Sequence, residues 1–268
     1  MGVADRGALE AAVAVAKACG LRVSDPVILR DQLNVLIHLR PAPVVARVAG
    51  TLARVRPGMA WQRRELAIAG FLAGAGMPAV APSSELEAGP HEHDGRVLSF
   101  WTYVPVREER IDPVAAGEAL RDCHEALHDF QGSLPVLSGL TEAEALLTWL
   151  AAEETLDPGT ATELLDRIMD LHATLGRLRS PIRPLHGDAH LNNVLNGPDG
   201  PLWNDWEDTC LGPLGWDAAC LLTGRDGGER AEAALAASGI ELDPSELALW
   251  VEARSLQLEI WRAFVATT

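Results

Sequence analysis

The chain has 268 residues, 48% of them hydrophobic, enough to bury a substantial core and to form two compact units. Its 38 acidic residues outnumber 22 basic ones, for a net charge of −16, a field that disfavours nucleic acid and anionic membrane surfaces as partners. The four cysteines, Cys19, Cys123, Cys210 and Cys220, form no C-x-x-C pair, which fits a reduced, cytoplasmic protein.

Asp5, Arg6, Glu10 and Lys17 interrupt the apolar run at the start, so neither a secretory signal nor a membrane span is expected there. Residues 6–19 read instead as a helix, with Leu9, Val13 and Ala16 near one face and Gly20 as its stop. Between Val27 and Val48, β-branched runs separated by Arg30-Asp31-Gln32 and by Arg40-Pro41-Ala42-Pro43 predict three strands. Helical spacing returns over residues 59–76 and closes on glycines and Pro78. Asp94-Gly95 then marks a hairpin before an apolar strand, Val97 to Val104. His91, Glu92, His93 and Asp94 are potential ligands beside that turn, where solvated polar residues are expected in any case. A boundary at Tyr103 to Val106 divides residues 1–103, rich in strands, from residues 104–268, which are mainly helical. In the second part, residues 114–130, 145–154 and 160–178 carry apolar residues at spacings of three and four. Short strands near Val194 and Leu202, a helix near Trp216 to Leu222 and two closing helices complete the chain.

Two stretches carry the chemistry. Leu185 to Leu195 reads LHGDAHLNNVL and places Asp188 five positions before Asn193; Trp203 to Ala219 reads WNDWEDTCLGPLGWDAA and adds Asp205. An H-G-D-x-x-x-x-N run, then a short strand ending in Asp, then G-P and W-D, resembles the aminoglycoside phosphotransferases and the choline-kinase-like small-molecule kinases. That resemblance runs from about Val27 to the last helix. It implies an α+β, bilobal protein-kinase-like fold and transfer of the γ-phosphoryl group of ATP to a hydroxyl of a small molecule. By the same resemblance Asp188 is the catalytic base, Asn193 and Asp205 hold Mg2+, and Asp217 braces the catalytic loop, while His186 and His190, inside the same stretch, are expected to orient that loop by hydrogen bonding. The chain then acts as a monomer or homodimer on a small-molecule acceptor.

The resembling enzymes also need a strand cation for the phosphates and an acid on the next helix. The only lysine is Lys17, on the first helix, so Arg47 takes the strand position and Glu65 is its partner. A guanidinium fork can anchor phosphate in place of a point charge. The segment WTYVPV is the expected hinge, with the backbone of Thr102, Tyr103 and Val104 facing the nucleotide. Neither a glycine-rich phosphate loop nor a P-loop is present, so the turn Arg30 to Asn34 would have to cover the nucleotide. Glu207 and Asp208, with Glu241, Asp243, Glu246, Glu252 and Glu259 in the last helices, suggest a cationic acceptor such as an aminoglycoside-like antibiotic or an amino sugar. Two alternatives stand beside this reading. One is a catalytically silent nucleotide-binding protein of the same fold. The other is a zinc peptidase, because His124-Glu125-Ala126-Leu127-His128 is a literal H-E-x-x-H.

Overall fold

A computed structural model describes residues 3–50, 56 and 58–267, with the side chains of residues 3–5 and 138 left aside. The chain forms two compact units, Met1–Glu109 with Leu195–Glu207, and Arg110–Val194 with Asp208–Thr268. The sequence suggests a single cut after Tyr103; the contacts divide the chain after Glu109 and return residues 195–207 to the first unit. The returning strand is held there by two backbone bonds, Val80 N–H to Trp203 O at 2.9 Å and Trp203 N–H to Pro78 O at 2.8 Å.

In the first unit, α1 (Val3–Ala18) precedes β1 (Val23–Asp31), β2 (Asn34–Pro41), β3 (Val44–Ala49), α2 (Ala60–Gly74), β4 (His91–His93) and β5 (Arg96–Thr102). The strands form one sheet in the order β1-β2-β3-β5-β4, every neighbouring pair antiparallel. Side chains alternate between the faces of a strand. Val35, Ile37 and Leu39 of β2 and Val44, Ala46 and Val48 of β3 therefore share one face, where they bury against Ala8, Ala12, Val15 and Ala16 of α1. The same alternation puts Arg47 on the opposite face. The turn after β4 uses Asp94 and Gly95 at φ of 48° and 71°, as the hairpin signal predicts, so His91, Glu92 and His93 form a short strand and only Asp94 lies in the turn itself.

The second unit holds α3 (Pro113–Leu127), α4 (Ser138–Ala152), α5 (Pro158–Leu175), β6 (Arg183–Leu185), β9 (Cys210–Gly212), α6 (Gly215–Thr223), α7 (Glu229–Ala237) and α8 (Pro244–Ala266). The intervening β7 (Val194–Gly197) and β8 (Gly200–Trp203) pair with each other. Three helices begin with the same Asp-Pro pair. Asp112, Asp157 and Asp243 each accept a bond from a first-turn amide, and the proline that follows needs no partner for its missing N–H. Helix α3 packs closely on α7 because Gly117 has no side chain; a Cβ there would lie 2.1 Å from the Ala234 carbonyl oxygen. Strands β6 and β9 pair antiparallel, and the chain that leaves β6 is the H-G-D stretch.

Candidate active site

The second unit builds a braced loop around Asp188. Gly187, at φ +88°, turns the chain where a Cβ would meet the Asp208 carbonyl oxygen at 2.0 Å, so only glycine fits. Asp217, fully buried on α6, accepts from the backbone amides of His186 at 2.7 Å and Gly187 at 2.9 Å, and from His124 Nε2 at 2.8 Å. Burial works to raise its carboxyl, yet the His124 bond, that histidine's charge and the Gly187 amide outweigh it and hold Asp217 below the usual carboxylate range. Trp216 Nε1 donates to Gly187 O at 2.7 Å from the same helix. His186 is wholly buried; its Nδ1 accepts from Asp188 N–H at 3.3 Å and its carbonyl from Thr209 Oγ1 at 3.5 Å. Asp217 and His186 thus both make hydrogen bonds within the stretch from His186 to Asp188.

The Asp188 side chain, 22% exposed, is surrounded by donors. Asn193 Nδ2 donates to its Oδ2 at 3.2 Å and to its backbone oxygen at 3.0 Å, and His190 Nε2 lies 3.3 Å from Oδ2. The other oxygen, Oδ1, accepts from Arg254 Nη2 of α8. Arg254 is 6% exposed, donates through Nη1 to Gln257 Oε1 at 2.7 Å, and lies 5.7 Å from the centre of the Trp216 ring. Burial favours the neutral acid, but Arg254 and then His190 overcome it and hold Asp188 far below the ordinary carboxylate range. Asp188 is thus a fixed anion suited to orienting a hydroxyl through a hydrogen bond.

The first unit builds a charge cluster around Arg47. Its guanidinium bonds to Glu65 of α2, to Asp205 Oδ1 at 2.9 Å and to Glu207 Oε2 at 2.9 Å. Burial opposes the charged form, and Glu207, Glu65 and Asp205 together more than restore it, so Arg47 stays a cation. Arg47 and Glu65 form the strand-to-helix pair that the sequence suggests. With its amide oxygen turned inward, Asn34, at the end of the turn that begins at Arg30, accepts from Arg47 Nε at 3.1 Å. Asp205 sits at φ +66° with its side chain 36% exposed.

Other expected residues lie elsewhere. Glu207, suggested for the acceptor, is 7% exposed and belongs to the charge cluster: Arg56 donates to its Oε1 at 2.8 Å, and Arg64 Nε donates to its carbonyl at 3.0 Å. The indole of Trp61 meets the Arg56 and Arg64 guanidinium groups at 3.9 and 4.4 Å. Asp208 is half-buried and adds to the field that favours Arg254 as a cation. Among the remaining acids, Asp243 caps α8, Glu246 accepts from Ser180 and Trp250, and Glu259 pairs with Arg167. In the hinge segment, the Thr102 amide donates to Ala81 O at 3.0 Å and the Tyr103 amide to Pro43 O at 2.9 Å, leaving the Val104 amide without a partner among the described residues. The Tyr103 ring stacks on His38 at 3.8 Å. The H-E-x-x-H pattern does not gather ligands: His124 is buried on Asp217, Glu125 and His128 are exposed, and no group of three or more His, Cys, Asp or Glu side chains that could hold a metal occurs among the described residues.

The model of the phosphotransferase enzyme family APH matches residues 52–250, most of the chain. The chain belongs to this family. No curated protein sequence matches it. Among solved structures it is similar to the amicoumacin kinase hAmiN in complex with AMP-PNP, Ca2+ and Ami, at TM-score 0.74 and 15% identity over 98% of this chain and 89% of that one. It is also similar to the choline kinase LicA from Streptococcus pneumoniae, at TM-score 0.67 and 14% identity over 96% and 91%. A third is the GDP and kanamycin complex of APH(2")-IIia, at TM-score 0.66 and 16% identity over 95% and 90%. The fold of this phosphotransferase family member is therefore protein-kinase-like, and the strand-rich first unit and helical second unit are its two parts. No helix among the described residues is long and apolar enough to cross a membrane.

The residue that sequence reading misses is Arg254. Its signal lies in α8, where the buried stripe Trp250, Ala253, Leu256, Ile260 and Phe264 also takes in Arg254 and Gln257. A cation inside an apolar helical face needs a buried partner, and Asp188 is that partner.

Proposed function

We propose that the chain is an ATP- and Mg2+-dependent O-phosphotransferase that moves the γ-phosphoryl group to a hydroxyl of a small molecule in the cytoplasm. Asp188 receives a hydrogen bond from the acceptor hydroxyl and takes its proton as the bond to phosphorus forms. Arg47, held by Glu65, supplies the phosphate anchor, and the Val104 amide is the hinge donor left for the nucleotide base. Asn193 and Asp205 carry hard oxygen donors of the kind that Mg2+ takes. Bound magnesium would neutralise charge on the phosphate oxygens. The observation that carries this reading is the Arg47 cluster, in which one strand arginine engages both a helix acid and the carboxylate of the W-N-D-W stretch. A surface arginine has no reason to be buried against three carboxylates.

For the acceptor, solved relatives in complex with kanamycin or with amicoumacin keep amino-bearing antibiotics first in a panel. The negative cluster behind the cationic expectation is reduced, because Glu207, Asp243, Glu246 and Glu259 already serve arginines, a helix cap and hydroxyl or indole donors. Asp208 remains half-buried near Arg254. The silent-protein alternative draws on one observation, the ion pair that Arg254 makes with Asp188. A panel of hydroxylated amines, amino sugars and neutral polyols, scored for ADP formation and for a phosphorylated product, separates the readings. Product from any acceptor supports transfer. Nucleotide binding with no product from any class supports the silent protein.

A further inference from the structure

The H-E-x-x-H segment has a different surrounding from the one a metal would need. A cavity of about 140 Å3 opens in the second unit beside α3, lined by Arg121, His124 and Glu125 of that helix and His128 just after it, by Arg183 of β6, and by Gly239 in the turn before α8. Liquid water occupies about 30 Å3 per molecule, so the space takes several waters or one small ion. Glu125, which is exposed, is the only carboxylate among the described lining residues, against two guanidinium groups and two imidazoles. In a chain with 38 acidic and 22 basic residues, that local balance is reversed. Arg121 has Asp122 at 3.2 Å and is still 43% exposed at its side chain, while Arg183 is exposed. Two guanidinium groups repel a divalent cation and match the planar edge of an oxyanion.

Among the charged and imidazole groups that line the cavity, His124 is the most buried, at 7% exposed. Its Nε2 is held by Asp217, which leaves Nδ1 as the ring's other polar atom. A ring protonated on both nitrogens donates to Asp217 on one side and to an anion on the other. Asp217 in turn carries the His186 and Gly187 amides that shape the Asp188 loop.

We propose that this cavity binds a small oxyanion, of the phosphate or sulfate class, and that His124 couples the bound ion to the catalytic loop through Asp217. The test is a titration of inorganic phosphate into the full chain at constant ionic strength, following the His128 ring signal by NMR, assigned through its loss in His128→Asn. The signal should move and saturate, and Arg183→Gln should weaken the half-saturation by about tenfold, the range of one charged hydrogen bond. Arg183 is exposed, so this variant keeps the fold, and the Arg47 cluster, a second place where phosphate could bind, is untouched by it. A signal that does not saturate, or that titrates identically in Arg183→Gln, would overturn the site. Hydrogen exchange at the Gly187 amide should slow on phosphate addition; exchange that is unchanged at saturation would overturn the coupling.

Discussion

Replacing Asp217 with Asn removes one charge and almost no volume, and the structure sets its cost. The carboxylate accepts three bonds, from His186 N–H, Gly187 N–H and His124 Nε2, within a fully buried site. An amide offers one oxygen and one NH2 group, so whichever way the new side chain turns, its NH2 faces at least one backbone or ring N–H. A hydrogen bond to a charged group contributes about 1.5–3 kcal/mol, and an unsatisfied buried donor costs about 1–3 kcal/mol. Losing one such bond while stranding one donor gives about 2.5–6 kcal/mol, a large part of a typical total of about 5–15 kcal/mol. Urea unfolding of both proteins at pH 7 measures this, with turnover followed alongside. The folded carboxyl lies below its unfolded value of about 3.9, so its contribution is complete above that pH and fades as pH falls through the folded value. The stability gap between wild type and Asp217→Asn should accordingly narrow in acid. A gap below about 1 kcal/mol at pH 7 would contradict the bracing role, because no charged bond of ordinary strength could then have been lost.

Arg254→Met removes the cation from Asp188 while keeping much of the aliphatic volume. Because Arg254 depresses the Asp188 carboxyl, its loss should move the acid limb of the kcat/KM profile to higher pH; an unmoved limb would show that Arg254 does not tune the carboxylate. Arg47→Lys keeps the charge but cannot reach Glu65, Asp205 and Glu207 together, so KM for nucleotide should rise about 10- to 100-fold. Wild-type nucleotide kinetics in that variant would place the phosphate anchor elsewhere. Gly187→Ala should lose activity and stability together, since the new Cβ meets the Asp208 carbonyl oxygen; a fully active variant would show that the turn is not constrained.

Much of the fold is legible because its signals are local. Gly20 and Gly76, at φ of +86° and +74°, stop α1 and α2 where the sequence leads one to expect it, and Asp94-Gly95 makes its hairpin. Apolar spacing places α3 and α5 within a few residues of their ends. By contrast α4 begins at Ser138, seven residues before the apolar run that reveals it, because Gly139, Thr141 and Glu142 present no periodic face. Strands β6 and β9, three residues each, are stabilised by pairing with each other across the chain, which no local pattern records. In the candidate site, the residues of the Asp188 loop sit close in sequence and can be read together. Arg254 lies 66 positions from Asp188, and Glu207, read as an acceptor acid, turns inward because Arg56 and Arg47 approach from distant segments. Charged residues whose partners come from long range are the ones that sequence order hides.

The most direct measurement is single-turnover phosphoryl transfer by Asp188→Asn, with the best acceptor from the panel and nucleotide affinity determined in parallel. The variant retains the shape of the side chain and can still receive from Arg254, but it cannot take a proton. Transfer should fall by about 10²–10⁴ while nucleotide affinity stays within a few-fold of wild type. Transfer at the wild-type rate would contradict the assignment of Asp188 as the base.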